Sequence, residues 1–424
     1  MLTITESIQG VLTTLHSIDL NDDNSLNESV RVIRDEVLEN GDSALKSYAQ
    51  RFDQVDVDFD ILVSKDEIKD AYNKVNDSFI EAIQHAQKNV TAFHTHQRPE
   101  SWQKDVGAGI QYGMQYRPLN SAGLYVPGGR ANYPSTVVMN VVPAKIAGVP
   151  DLVILTPPQA DGTISPEVLV AADVCGVDKI VRSGGAQAVF AAAYGTQSVP
   201  KVDKIVGPGN KYVTAAKNMV YGVVDIDKPA GPSEVLVYIT DDRYADYAAS
   251  ELLAQLEHDP DARAVAVSES RLVLEKINDS FQTLLESCDR KQIIQHSQKN
   301  CYLVLTDSEE SSIDAINKVA SEHLVLLLDD YQSILNSINH AGSIFCGPYT
   351  PVALGDYWAG PNHVLPTAGA ARFSSPLNVM DFMKFSAVLA YDKDSLNKVS
   401  KSIKTLTEVE GFDAHYKSID VRLK

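Results

Sequence analysis

No stretch of this 424-residue chain approaches the roughly 18 consecutive apolar residues that a membrane-spanning helix needs. The N-terminus, Met1-Leu2-Thr3-Ile4-Thr5-Glu6-Ser7, lacks the basic stretch and apolar run of a secretory signal. Cysteine is scarce. Cys175, Cys288, Cys301 and Cys346 lie far apart with no CxxC and no Cys/His knuckle, which argues against a thiolate zinc site and against a disulfide framework. Four buried, reduced thiols in a cytoplasmic protein are the expectation. Positive charge is also in deficit, with 37 Lys and Arg against 56 Asp and Glu and a formal net charge of −19. Binding to nucleic acid or to an anionic membrane surface needs basic surface and is not expected. Neither GxGxxG nor GxxxxGK[ST] occurs, so both common nucleotide fingerprints are missing.

What remains is an ordinary globular composition, 44% hydrophobic and 22% charged, with length enough for two or three domains. Residues 26–98 read as helices. Leu26–Val30 leads into Val32, Ile33, Val37 and Leu38, an apolar stripe that stops at Asn40-Gly41, and further helices span about 42–51, open at Ser64, and cover about 77–96. From about 120 short apolar strands alternate with helices, and residues 234–370 repeat that alternation without a visible sequence repeat. Such alternation predicts parallel βαβ units. The tail from about 371 reads as helical and polar, centred on 398–409, and too short for a core of its own. Such a tail packs on a neighbouring domain or subunit.

Chemistry is suggested at several places. Glu322-His323 stands directly before the apolar run Leu324–Leu328, a way to set two proton-transfer groups at one strand or helix edge. Three glycine-rich turns, Pro127-Gly128-Gly129, Gly184-Gly185-Ala186-Gln187 and Gly207-Pro208-Gly209-Asn210, each follow a strand. At the carboxyl ends of parallel strands such turns expose backbone N–H groups to phosphate, although glycines also serve plain tight turns. Gln255 and His258 share a helix face near its end. With Asp356 and one further histidine they would make a nitrogen and oxygen metal site, while a solvated helix end is the plainer reading. His363 suits either a site or a structural hydrogen bond, and His94 and His96 read as a solvated helix end. His16, His85, His296 and His340 have no chemical company.

Taken together these segments resemble the histidinol dehydrogenase family over nearly the whole chain. The resemblance rests on Gly123–Gly129, Gly184–Ala188, Gly207–Asn210, Ala230–Val235, Gln255-Leu256-Glu257-His258, Ser321–Leu324, Asn362–Thr367 and Glu410–His415. It implies two Rossmann-like parallel-sheet units in an aldehyde-dehydrogenase-like α/β arrangement, with a helical N-terminal region and a helical C-terminal tail. The expected division is an N-terminal helical segment (1–23), a catalytic and metal-binding domain (24–120 with 235–370), an NAD-binding domain (121–234) and the tail (371–424).

The resemblance further implies zinc-dependent oxidation of L-histidinol to L-histidine by two NAD, in a homodimer. Gln255, His258, Asp356 and His415 match the ligands of one zinc per subunit, His415 coming from the other subunit's tail. His323 matches the general base and Glu322 the residue that activates water. Ser233, Glu410 and His363 match substrate-contacting positions alongside Gln255, His258, His323, Asp356 and His415. Tyr125, Gln187 and Asn210 match NAD contacts. Trp358, Pro361, Pro376 and Arg130 depart from the family's usual residues and bear on loop geometry. An NAD-dependent dehydrogenase of another amino or sulfonate alcohol, a non-catalytic NAD-binding module and a zinc hydrolase remain open alternatives at this point.

Overall fold

The structure is a computed structural model that describes residues 2–15, 24–128, 132–228 and 231–424. Gly129 of the first glycine turn, Arg130, Ala230, His16 and the rest of 16–23 lie outside the described residues.

The described strands are β1 (Thr3–Thr5), β2 (Trp102–Gly107), β3 (Ile110–Pro118), β4 (Ser121–Tyr125), β5 (Asp151–Thr156), β6 (Ile180–Arg182), β7 (Lys204–Val206), β8 (Asp225–Ile226), β9 (Glu234–Ile239), β10 (Arg263–Ser268), β11 (Cys301–Leu305), β12 (His323–Leu327), β13 (Ser343–Cys346) and β14 (Met383–Tyr391). They form three sheets. One is five-stranded in the order β6-β5-β4-β7-β8, and one is six-stranded in the order β1-β11-β10-β9-β12-β13. All pairs in both are parallel. In each the first long strand of the unit is central, two strands follow on one side and two on the other. The two units therefore share a topology, with β1 added at one edge of the second. The expected pair of parallel α/β units is present.

Local sequence accounts for the helices. Leu26, Val30, Ile33 and Val37 are buried along one face of helix Asn24–Asn40, the period of an amphipathic helix. Ser64 and Glu67 form a reciprocal capping box that starts helix Lys65–Ala71. Asn210 caps helix Lys211–Val220 by accepting from the N–H groups of Tyr212 and Val213.

Helices between 24 and 95 share their main apolar cores with the five-stranded unit, and of 235–370 the last of them meets the segment around Trp358 and Asn362. Leu26, Val30, Leu45 and Tyr48 share a core with Phe190 and Val213. Ile68, Ile83 and Val90 share another with Val138, Val142 and Val168. Their apolar stripes follow the nearest exposed helix faces, which belong to that unit. Two expectations are corrected. The tail is not all helical, because β14 pairs antiparallel with β3 over nine residues in the third sheet, β14-β3-β2. His94 is not solvated: it is fully buried, and its Nδ1 lies 2.6 Å from Oε1 of Gln97. All four cysteines are free, with Cys175 and Cys301 buried and the other two partly so. No helix among the described residues is long and apolar enough to cross a membrane.

The placement of the 24–95 helices is testable through Leu45, which has no exposed surface. Leu45→Ala should lower unfolding free energy by about 2–5 kcal/mol in urea titration, because it opens a cavity against helix Gly185–Tyr194.

Candidate active site

The link from the first unit to the second is short. β8 ends at Ile226 and β9 begins at Glu234, so the carboxyl edge of the first sheet is joined closely to the amino edge of the second. At that amino edge lie Ser233, Glu322 and His323. β12 starts at His323, which is in register with Val235 on one side and Ser343 on the other.

His323 is 5% exposed, and its Nδ1 lies 2.9 Å from the backbone carbonyl of Glu234. A carbonyl only accepts, so Nδ1 carries the proton and Nε2 holds the free lone pair. Nε2 is buried and has no hydrogen-bond partner in the protein. The nearest charged group is Oδ1 of Asp356 at 3.8 Å. Burial lowers the His323 pKa to about 4, with the neighbouring His258 and His363 adding to the effect. The ring is therefore neutral at physiological pH, as a proton acceptor must be.

Glu322 is 6% exposed. Its Oε2 accepts from the backbone N–H of Glu234 at 2.8 Å and stands 3.6 Å from Nδ1 of His323. The Ser233 hydroxyl also hydrogen-bonds the carboxyl. Burial raises the Glu322 pKa well above the ordinary carboxylate value, helped by Glu234 and Asp356. One residue, Glu234, thus orients both catalytic candidates through its backbone. Its own carboxyl accepts from the N–H of Ala368 at 2.9 Å, with the Arg263 guanidinium 3.7 Å away, and burial pushes it up to about 7. Sequence reasoning missed this role because a backbone donor and acceptor leave no side-chain signature. Gly342 was missed likewise: a Cβ there would lie 2.5 Å from the Glu322 carbonyl oxygen.

A cavity of about 390 Å³ opens between helix Asp77–Thr95, residues 132–139 and residues 356–358. His258 and Asp356 lie on one wall and Phe79, Ile83, Tyr133 and Trp358 on others. Burial pushes the Asp356 carboxyl up to about 7 and lowers the His258 imidazole. Gln255 is 4% exposed with its amide Nε2 unpartnered. His363 bridges the two units: its Nδ1 is 3.1 Å from the Asp356 carbonyl and its Nε2 is 3.3 Å from the Thr136 hydroxyl. Burial takes its pKa to about 4. A neighbouring cavity of about 450 Å³ is lined by His94 and Asn362 but by none of the candidate catalytic or ligating side chains, whereas the 390 Å³ cavity carries His258 and Asp356.

The glycine turns lie where expected. Gly185 donates its N–H to the Tyr125 hydroxyl at 3.0 Å, and Gln187 follows in the same turn. Burial pushes the Tyr125 phenol up to about 12. A Cβ on Gly128 would lie 2.7 Å, and one on Gly184 2.6 Å, from the Pro157 ring, so backbone closes in at the ends of β4, β5 and β6. Asn140 Oδ1, Ser183 Oγ and Asp53 Oδ2 are buried there or nearby without a partner.

Glu410 and His415 are not brought to this seam within one chain. Both are exposed, and His415 contacts Phe412 and Ser418 inside the tail. Among the described residues no three His, Cys, Asp or Glu side chains of a single chain form a metal-binding group.

The family model for histidinol dehydrogenase matches residues 18–423. The chain is 47% identical over 398 residues to the histidinol dehydrogenase of Clostridium acetobutylicum, covering 94% of this chain and 92% of that protein. It is 45% identical over 423 residues to that of Bacillus thuringiensis subsp. konkukian, covering 99% and 98%. Its fold matches the crystal structure of histidinol dehydrogenase from Elizabethkingia anophelis with a TM-score of 0.94 at 33% identity, over 100% of this chain and 98% of that one. With a match this extensive in sequence and fold, the chain belongs to the histidinol dehydrogenase family.

Proposed function

We propose that the chain oxidises L-histidinol through L-histidinal to L-histidine, the last steps of histidine biosynthesis, with reduction of two NAD. The observation that carries this reading is the buried, unpartnered Nε2 of His323 beside the cavity of His258 and Asp356.

The donors fit zinc. Asp356 is a carboxyl desolvated to a pKa of about 7, a state that a facing cation would relieve. The Gln255 amide has an unsatisfied end, and its oxygen and nitrogen exchange by a simple flip. With His258 these make three nitrogen or oxygen donors, and His415 from a second copy's tail is the fourth. Once bound, zinc would anchor the substrate's imidazole and amino nitrogens. The cofactor side also fits: Tyr125, Gln187 and Asn210 surround turns where glycine backbone and orphaned polar atoms face one edge. NAD, when bound, would accept hydride in each oxidation.

The chain's own residues handle the protons. Nε2 of His323 takes the hydroxyl proton as the alcohol becomes an aldehyde, and the Nδ1–Glu234 bond holds the ring on line during transfer. Glu322 then removes a proton from the water that hydrates the aldehyde. A carboxylate with raised proton affinity is a stronger base than a solvated one. Ser233 and the Glu234 N–H keep it in place. His363 and, from the second copy, Glu410 would contact substrate polar groups.

Dimer formation is supported by apolar surface that a single chain leaves open. Phe385 is 57%, Leu389 69%, Leu406 63% and Val409 83% exposed, all on β14 and the following helix. The four free cysteines agree with a cytoplasmic setting.

Limiting L-histidinol should yield two NADH per molecule by absorbance, a yield lost with chelator and regained with zinc. Turnover of another amino or sulfonate alcohol in place of histidinol would overturn the substrate assignment. His323→Ala should cut kcat by about 100-fold or more with zinc content and fold unchanged, and near-normal turnover would remove the base role. His415→Ala should lose zinc and activity. Mixed with His323→Ala it should regain activity, because one hybrid site of the crossed dimer keeps both residues. Confirmed subunit exchange with no regain would exclude the shared site.

A further inference from the structure

The turn Gly207-Pro208-Gly209-Asn210 contains two glycines and a proline, so until Asn210 it has no side chain able to hydrogen-bond. Its shape is nevertheless tightly set. Gly207 has φ 114, a left-handed value suited to glycine, and a Cβ there would lie 2.1 Å from the Tyr125 carbonyl oxygen. That carbonyl also accepts from the Asn140 amide at 3.0 Å. Both polar groups of Gly207 are held from outside the turn. Its N–H donates to Oδ2 of Asp227 at 2.9 Å, and its carbonyl accepts from Nζ of Lys217 at 3.0 Å. Lys217 and Asp227 are themselves in ion-pair contact, with side chains only 2% and 1% exposed.

This pair is unusual in placement. It is too deeply buried to meet a ligand, and a buried ion pair is poor value as a source of stability, because apolar residues of similar volume are often as good or better. What it does have is geometry. Lys217 lies two helical turns after Asn210, in the helix that Asn210 caps, so its bond to Gly207 ties the helix back onto its own lead-in. Nζ of Lys217 also donates to the Lys228 carbonyl at 3.3 Å. The Lys228 ammonium in turn reaches the carbonyl of Val364, next to His363, at 3.4 Å, and that of Ser375. The turn is thereby referenced both to β4, through Tyr125, and to the unit that carries the catalytic pair.

We propose that Lys217 and Asp227 are positioning residues for the dinucleotide, fixing the Gly207–Asn210 turn where Asn210 and Tyr125 meet the same NAD. This rests on the NAD reading above.

The zinc-loaded dimer and two variants test it by calorimetric titration with NAD. Lys217→Met/Asp227→Leu removes both holds on Gly207 without leaving either member of the pair charged and alone, while Lys228 keeps Asp381 as a facing carboxylate. It should fold with a Tm close to the parent, bind NAD about tenfold more weakly, and raise KM for NAD while KM for histidinol and zinc content stay the same. Lys217→Met/Asp227→Asn restores an acceptor for the Gly207 N–H and should recover much of the affinity. Parental NAD affinity in the first variant would overturn the proposal. So would parallel losses of NAD, histidinol and zinc binding, or failure of both variants to fold, since each would make the pair a structural element only. Absence of NAD binding by the parent protein would instead overturn the cofactor reading itself.

Discussion

Two sheet edges, the carboxyl edge of one unit and the amino edge of the next, meet across a link of seven residues, 227–233. The ionisable groups gathered at that seam are taken out of water together, and their behaviour follows from this one constraint. Desolvation opposes charge of either sign. It carries the imidazoles of His323 and His363 down to about 4 and the carboxyls of Asp356 and Glu234 up to about 7. At neutral pH the imidazoles are uncharged and the carboxyls are close to losing their charge, although the chain as a whole carries −19. A seam in this state is receptive to cations. A divalent metal and a positively charged nicotinamide ring are two that the proposed reaction brings, and each would draw the carboxyls back to their ionised form.

The two units have the same strand order but present opposite ends to the seam. The first presents carboxyl ends, where the glycine turns bring backbone into close approach with Pro157 and Tyr125. The second presents amino ends, where the side chains of Glu322 and His323 are buried together. Proton transfer needs an atom held within a few tenths of an ångström, and a strand start flanked on both sides supplies that rigidity. His323 has Val235 and Ser343 as register partners. Glu234, the first residue of the central strand, holds His323 with its carbonyl and Glu322 with its N–H. Adjacent residues of a strand point to opposite faces, yet Glu322 and His323 reach one site because only His323 is inside the strand and Glu322 precedes it.

Much of this was legible in the sequence, and the parts that were not have a common cause. Helix and strand positions could be read wherever an apolar period met a capping residue or a glycine, as at Ile33–Leu38 before Asn40-Gly41 and at Ser64. The glycine turns and Glu322-His323 stood out because their residue types are costly or unusual where they are. What stayed hidden depends on contacts distant in sequence. β14 alternates weakly and is exposed along nearly its whole length, so nothing but its pairing with β3 marks it as a strand. His94 looked solvated because it sits among Thr95, His96 and Gln97, but Asn362, 268 residues away, closes over it. The sharing of apolar cores between 24–95 and the five-stranded unit was hidden for the same reason: an amphipathic stripe tells that a helix packs, not on what.

The tail raises the last structural question, why Glu410 and His415 should stand exposed and apart from a site whose Gln255, Glu322 and His323 are buried. Within one chain their surroundings are Phe412, Leu406 and Val409, apolar residues that are 52%, 63% and 83% exposed. A soluble monomer gains nothing from such a surface. If a second copy covers it, the same contact that buries those side chains delivers His415 to Gln255, His258 and Asp356. Assembly and metal binding are then linked by mass action, each stabilising the other. A monomer would have three donors and bind zinc weakly, so an unassembled chain would hold neither metal nor substrate. A fourth donor on the partner would thus restrict the chemistry to the assembled enzyme without any separate regulatory element.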